Sequence, residues 1–181
     1  MNTEYIALLR GINVRGHQVK MERLRALFSE LGFDQVRSYI QTGNVFFAAK
    51  EHDTSALRTK IEEHLRTSLG YSVATCLRTR EALEALVSLD PFHGIQMTDD
   101  RRFAVTFFAE PVLNTLPLPY LTPDGAYEII GMTPSEVFVV WHLNNGRPGA
   151  SYGFLEQHFK VPATTRFWQT TAKILSAAKK T

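Results

Sequence analysis

The chain has 181 residues, enough for one well-buried domain or two small ones, and 44% are hydrophobic and 21% charged, as in ordinary globular proteins. Its 20 basic and 18 acidic residues give a net charge of +2 that is spread evenly over both halves, so bulk charge argues neither for nor against nucleic acid. The lone Cys76 excludes an intramolecular disulfide, and the first apolar run, which stops at Arg10, is too short for a signal peptide or membrane span. We therefore expect a cytoplasmic protein without a membrane partner.

The chain opens with a predicted strand at 5–9, a loop at 10–19 and an amphipathic helix. In the helix, apolar residues recur at helical spacing: Met21, Leu24, Leu27, Phe28 and Leu31. Gly32 followed by Phe33 is typical of a helix end, because glycine takes the left-handed conformation there without strain.

The next elements are predicted as two strands, a helix and a strand, at 36–41, 44–48, 54–69 and 72–77. Only Thr42 and Gly43 separate the two strands, so they form an antiparallel hairpin. Asp53 can cap the helix, and Gly70 ends it. The order β-α-β-β-α-β within residues 1–78 is that of the split βαβ, or ferredoxin-like, unit.

A third helix follows, capped by Thr79 and stopped at Asp90 and Pro91. A loop rich in Asp and Arg comes next. We predict that residues 79–102 connect two halves of the chain.

Residues 103–181 resemble a degenerate copy of the first half. Strands are predicted at 103–108, 127–130 and 137–142, and helices at about 152–159 and 166–178. Three prolines between Glu110 and Tyr120 allow only a short or broken helix. The predicted fold class is therefore α+β, with two tandem ferredoxin-like (α/β plait) halves, the second ending in a helix where a fourth strand would be expected.

Several motifs together resemble a bacterial family known only as domain of unknown function 1697. They are Tyr5–Val14, Met21, Leu24-Arg25, Leu31–Phe33, Tyr39–Phe47, Val161–Arg166 and Trp168. The resemblance implies a tandem ferredoxin-like fold and no established activity. Two positions depart from the pattern, because Arg15 stands where a glycine is expected and Phe167 where an asparagine is expected. If that asparagine contacts a ligand in relatives, this chain has lost or changed the contact.

The first loop is the strongest candidate for a binding site. Gly11 and Gly16 flank four residues between a strand and a helix, but His17 and Gln18 replace the lysine and hydroxyl of a nucleotide-binding P-loop, which excludes nucleotide hydrolysis on that pattern. Backbone N–H groups near the helix start could still hold a phosphate or carboxylate, helped by Arg10, Arg15, His17 and Lys20. The alternative is a solvated loop whose glycines only permit the turn.

A second candidate lies at Thr164-Thr165-Arg166, predicted at the start of the last helix. The threonines could simply cap that helix. Alternatively, Arg166 and Trp168 reach the same pocket as the first loop and clamp an anion. The candidate ligand-binding residues are Arg10, Gly11, Asn13, Arg15, His17, Lys20, Thr165, Arg166 and Trp168.

Other chemistries receive less support. The six histidines show no H-x-x-x-H spacing and no cysteine partners, so the sequence indicates no metal, and no cofactor or catalytic residue is assigned. His17 and His142 remain candidate bases only. Aromatic residues on an open sheet could stack on single-stranded nucleic acid: Tyr5, Tyr39, Phe46 and Phe47.

Three hypotheses follow. The first is a non-catalytic or regulatory protein that binds a small anionic ligand, since five basic residues and one acidic residue lie between Arg10 and Arg25. The second is an enzyme that acts on a phosphorylated small molecule. The third is binding of single-stranded nucleic acid by the sheet face. The sequence does not decide the oligomeric state.

Overall fold

A computed structural model describes residues 2–14, 16–144, 146–148 and 153–180. In these ranges the chain forms a mixed α/β fold with two antiparallel sheets and five helices. It divides into two compact units, one comprising Met1–Ala85 and Ile174–Thr181, the other Leu86–Lys173. Within the described ranges, no helix is both long enough and apolar enough to cross a membrane.

The first unit begins with six elements in the predicted order. They are β1 (Thr3–Leu9), α1 (Met21–Glu30), β2 (Asp34–Tyr39), β3 (Asn44–Ala49), α2 (Thr54–Leu69) and β4 (Thr75–Thr79). The strands form one sheet in the order β2-β3-β1-β4, and every neighbouring pair is antiparallel. The largest boundary error is at β4, which begins at Thr75 and not at residue 72.

The core of this unit lies between the sheet and its two helices. One face of β1 presents Tyr5, Ala7 and Leu9 to a cluster that contains the buried faces of both helices. The other face is buried as well, since Ile6 and Leu8 are almost fully inaccessible. Burial on both faces explains why β1 is a continuous apolar run and not an alternating one.

The ends of α2 match the predicted capping residues. The Asp53 carboxylate accepts hydrogen bonds from the backbone N–H groups of Ser55 and Ala56. Gly70 adopts φ +81°, a left-handed conformation that glycine takes without a Cβ clash.

The elements of the second unit are β5 (Arg101–Phe108), β6 (Tyr120–Leu121), β7 (Tyr127–Met132), β8 (Glu136–Asn144), β9 (Arg147–Pro148), α4 (Phe154–Phe159) and β10 (Ala163–Phe167). Its sheet has the order β10-β5-β8-β7-β6 and is again antiparallel, and the short strand β9 pairs with β8. The helices α3 (Arg80–Ser88) and α5 (Trp168–Ala178) each contribute residues to both units.

The predicted start of the last helix was wrong. Residues 163–167 form β10, a fourth strand that pairs with β5, and α5 begins only at Trp168. Two consecutive β-branched residues, Thr164 and Thr165, favour a strand, and pairing with a buried neighbour outweighs their capping ability. The second half therefore contains a fourth strand, β10, where the sequence analysis predicted a helix. The predicted start of α4, at residue 152, lies outside the described residues.

The end of α5 is held by one arginine of β2. The Arg37 guanidinium donates hydrogen bonds of 3.1 Å to the carbonyl oxygens of Ala177 and Ala178, and another to that of Lys180. It also lies 5.4 Å from the centroid of the Phe46 ring. The last carbonyls of a helix have no partner within the helix and carry partial negative charge, so a cation stabilises them.

We expect Arg37→Ala to lower the free energy of unfolding by about 2 kcal/mol, since charge-assisted hydrogen bonds to helix-end carbonyls are lost. Urea unfolding followed by circular dichroism measures this. Arg23→Ala is the control, because among the described residues Arg23 forms only an exposed ion pair with Glu30, and a change of about 0.5 kcal/mol or less is expected. Equal effects of the two variants would contradict the role of Arg37.

Candidate functional site

The first loop, residues 10–20, starts from a fixed end of β1. The Leu9 N–H donates to the Gly43 carbonyl at 2.8 Å, and the Arg10 N–H donates to the Ala74 carbonyl at 2.9 Å. Inside the loop Ile12 is buried in the core of the unit. The loop is therefore anchored to the sheet at its base and by an apolar side chain in its first turn.

Asn13 braces the middle of the loop. Its Nδ2 donates to the Gln41 carbonyl at 2.8 Å, and its Oδ1 accepts from the Val19 N–H at 2.7 Å. Its φ of +59° is a left-handed conformation that asparagine tolerates better than most residues. The structure thus gives Asn13, predicted as a ligand contact, a role within the loop.

The turn between β2 and β3 packs against the first loop at a glycine. Gly43 has φ +77°, and a Cβ atom there would lie 3.0 Å from the Cβ of Leu9 and 3.1 Å from that of Ile12. Few real Cβ atoms lie this close to a neighbour, and the positive φ strains other residues, so glycine is strongly favoured at this position. The sequence indicated a tight turn at this position but not its contact with the loop.

Three of the predicted basic residues, Arg10, His17 and Lys20, have exposed side chains. Gly11 is also exposed and adopts φ +75°. Arg15 lies outside the described residues. The loop thus presents basic side chains to solvent while its buried residues hold the backbone.

His17 packs on an aromatic neighbour that the sequence did not indicate. Its ring centroid lies 4.0 Å from that of Tyr71, which follows the end of α2. The Tyr71 hydroxyl is buried and has no hydrogen-bond partner among the described residues. Burial raises the pKa of this hydroxyl.

The start of α1 favours negative charge. Lys20 occupies the N-cap position in an extended conformation, and its side chain makes no capping hydrogen bond. The pKa of the Glu22 carboxyl is lowered, first by a hydrogen bond from its own backbone N–H and then by the charges of Arg25 and Lys20. A carboxylate is therefore already stabilised in the first turn of this helix.

The second candidate group lies on a strand. The Thr165 hydroxyl lies 2.8 Å from that of Thr106 on β5, so it bonds across the sheet and does not cap a helix. Arg166 Nη1 donates to the Thr164 hydroxyl at 2.8 Å and to the Thr165 carbonyl at 3.0 Å. The predicted capping role of the threonines was therefore wrong.

Trp168 and Phe167 both contact aromatic rings of the second unit. The Trp168 ring lies 5.3 Å from that of Phe92, and the Phe167 ring lies 5.5 Å from that of Trp141. The pocket expected to join Arg166 with the first loop stays a prediction.

His142 has a carboxylate nearby. Its Nε2 lies 3.9 Å from Glu128 Oε2, which is beyond hydrogen-bond distance, and both side chains are about one-third exposed. The pKa of the neighbouring Asp100 is lowered, first by the Thr98 hydroxyl and in smaller part by His142. Over the described ranges, no group of three or more His, Cys, Asp or Glu side chains could hold a metal ion.

The aromatic residues considered for nucleic-acid stacking are mostly inside the first unit. Tyr5, Phe46 and Phe47 are each at most 4% exposed, and Tyr39 is partly buried. A base stacks on an accessible ring face, so this arrangement does not favour the nucleic-acid hypothesis.

Comparison with known proteins supports the resemblance seen in the motifs. A family model described as "Protein of unknown function (DUF1697)" matches residues 1–138. The structure is similar to that of the conserved bacterial protein SP0830 from Streptococcus pneumoniae, with a TM-score of 0.68 and 25% identity over 99% of this chain and 100% of the other. No functionally curated protein matches the chain.

We expect Asn13→Ala to loosen the first loop, because both amide hydrogen bonds are lost and alanine is strained at positive φ. Hydrogen exchange measured by NMR should show a loss of protection at the Val19 amide, while the Leu24 amide inside α1 keeps its protection. Asn13→Gly is the matched control, since it removes the same hydrogen bonds without the backbone strain. Unchanged exchange at Val19 in both variants would contradict the bracing role.

Proposed function

The chain belongs to the DUF1697 family of proteins of unknown function, and because membership carries no activity, we propose a function from the geometry of the first loop. The loop binds a small anionic, phosphate-bearing ligand, and the protein acts in the cytoplasm as a binding or regulatory protein. The observation that carries this proposal is the exposure of three basic side chains, Arg10, His17 and Lys20, on the loop that leads directly into the start of α1. The lowered pKa of the Glu22 carboxyl, in the first turn of that helix, agrees with it.

The surroundings of that turn support the same ligand class. Arg10, His17 and Lys20 are exposed on the loop, residues 10–20, that leads into α1. Backbone N–H groups at a helix start bind phosphate through hydrogen bonds and the helix dipole, and cationic side chains add charge-assisted bonds. The loop backbone is fixed by Asn13 and Gly43, so little ordering is needed when a ligand binds.

We also propose that the chain consists of two ferredoxin-like halves in tandem. The sheet orders β2-β3-β1-β4 and β10-β5-β8-β7 correspond when β1 is matched to β5 and β4 to β10. In each half the last strand is antiparallel to the first and is followed at once by a helix.

Details of β4 and β10 support this correspondence. A helix glutamate accepts a hydrogen bond of 2.8 Å from the first N–H of each strand, Glu62 from Thr75 and Glu156 from Ala163. Three residues after that N–H, an arginine side chain donates to the carbonyl of the preceding residue. In β4, Arg78 donates to the Leu77 carbonyl, and in β10, Arg166 donates to the Thr165 carbonyl. The second half has prolines where the first has the loop and α1, so we assign the anion site to the first half alone.

We expect inorganic phosphate, added in a titration followed by NMR, to shift the amide signals of the first loop and the first turn of α1. Arg10→Ala and Lys20→Ala should each weaken binding about tenfold, because a charge-assisted contact is lost. Glu22→Gln should strengthen it, since a competing negative charge is removed. Binding should weaken as salt is raised.

Lys50→Ala is the matched control, because Lys50 is an exposed lysine outside the loop, and it should bind like the parent. Shifts that persist unchanged in Arg10→Ala and Lys20→Ala would reject the site. So would equal losses in all three variants, which would indicate only a general effect of net charge.

An enzyme acting on a phosphorylated small molecule is the second candidate function. It is favoured by the position of Glu128 Oε2, 3.9 Å from His142 Nε2, since a closer approach in a substrate complex would let the carboxylate orient the imidazole for proton transfer. His17, on the first loop, is the other candidate base.

A panel of phosphorylated metabolites tests this activity. Turnover should fall at least about a hundredfold in His142→Gln or His17→Gln, the loss typical of removing a general acid or base. Parent-like turnover in both variants would reject the two histidines as catalytic residues.

A further inference from the structure

We propose that a cavity at one end of the first sheet binds a small apolar α-amino acid. The cavity measures about 420 Å³ and lies where α1 ends, β3 ends and α2 begins. This volume falls in the range that small-molecule sites occupy. The cavity is independent of the proposed anion site, because the first loop follows the end of β1 at which Leu8 pairs with Asn44. The cavity lies beside Ala48 and Ala49, at the other end of β3.

The apolar part of the cavity lining belongs to the core of the first unit. Phe33 stacks on Phe47 with 4.5 Å between the ring centroids, and Leu57 is 1% exposed, so packing holds both in place. Leu31, which is partly buried, and Ala56, which is exposed, extend this lining towards solvent. An apolar side chain that enters the cavity therefore leaves water for a wall that needs no rearrangement.

Lys60 supplies a fixed positive charge on the same lining. Its Nζ donates a hydrogen bond of 3.1 Å to the carbonyl of Leu31, the C-cap residue of α1, and lies 5.4 Å from the centroid of the Phe33 ring. The last turn of α1 has no basic residue of its own, so this ammonium compensates for the negative end of the helix. An ammonium has three N–H donors, and one serves Leu31, so a ligand carboxylate can bind to the others without breaking that contact.

Two carboxylates, those of Asp34 and Glu51, stand on the lining as well. Asp34 Oδ2 accepts a hydrogen bond of 3.0 Å from Asn2 Nδ2, and Glu51 Oε1 accepts one of 2.8 Å from the backbone N–H of Asp53. An ionised carboxylate offers about four acceptor positions, so one such bond orients it and leaves room for another donor. Both groups can therefore accept hydrogen bonds from a ligand ammonium.

The charges of the lining together select a zwitterion. Lys50 and Lys60 balance Asp34 and Glu51, so the formal charge of the lining is zero. A simple anion in the cavity meets two carboxylates and a simple cation meets two lysines, so neither gains a net attraction. A ligand with both charges and an apolar side chain matches every part of the lining, and an α-amino acid is a small molecule of that kind.

NMR titration of the full chain with L-phenylalanine tests the inference. The amide signals of Gly32, Lys50 and Lys60 should shift, while those of the first loop stay unchanged. Glycine, phenylacetate and phenethylamine each lack the apolar side chain or one of the two charges. Each should bind at least about tenfold more weakly than phenylalanine, because apolar burial or one charged contact is lost.

Lys60→Met is the variant that tests the assigned carboxylate contact, since methionine keeps an apolar stem and removes the charge. It should weaken phenylalanine and phenylacetate at least about tenfold and leave phenethylamine unchanged. A merely structural loss would weaken all three compounds together. Lys173→Met is the matched control, because Lys173 is exposed on α5 and is not part of the lining, and it should bind like the parent.

Ala56→Leu tests the cavity volume and leaves every charge in place. Ala56 is exposed in the first turn of α2, and leucine is a good helix former, so the fold should be retained while the cavity is partly filled. Phenylalanine binding should fall at least about tenfold. Ala26→Leu is the matched control, because Ala26 is an exposed alanine of α1 outside the lining, and its affinity should equal that of the parent.

The outcomes separate this inference from the proposed function. Absence of shifts with phenylalanine overturns the inference, whatever inorganic phosphate does at the first loop. Equal affinities for glycine and phenylalanine overturn it as well, and so does parent-like binding in both Lys60→Met and Ala56→Leu. Arg10→Ala should bind phenylalanine like the parent, and a loss there would contradict a site separate from the first loop.

Discussion

The close approach of Gly43 to Leu9 and Ile12 is the constraint on which the first loop depends. A Cβ atom at this position would force the Leu9 or Ile12 side chain to shift by a few tenths of an ångström, and the φ of +77° would strain any residue other than glycine. The same approach brings the Gly43 carbonyl to the Leu9 N–H and places the Gln41 carbonyl where the Asn13 side chain binds it. The turn and the first loop are thus packed and hydrogen-bonded to each other.

Much of the first unit could be predicted because its signals are local. Helical spacing of apolar residues, Asp53 before α2 and Gly70 after it each depend on residues within one or two turns. β10 was missed because its identity depends on a partner strand some sixty residues away. The contact of Arg37 with the end of α5 spans 140 residues, and no local pattern marks it.

The candidate site shows the same division. The sequence predicted the loop before α1 and its basic residues, since composition and the position before a helix are local properties. The bracing by Asn13 and the packing of His17 on Tyr71 depend on tertiary neighbours. Thr165 and Arg166 were placed on the wrong element, because threonine serves helix caps and strands equally well.

The paired glutamates and arginines of β4 and β10 have a consequence for how the molecule behaves at high concentration. The N–H groups of Thr75 and Ala163 and the carbonyls of Leu77 and Thr165 point away from the neighbouring strand and already have side-chain partners. A foreign strand approaching either margin would have to displace a carboxylate or a guanidinium before it could add to the sheet. Four side chains, Glu62, Arg78, Glu156 and Arg166, therefore hinder edge-to-edge strand addition at these two margins.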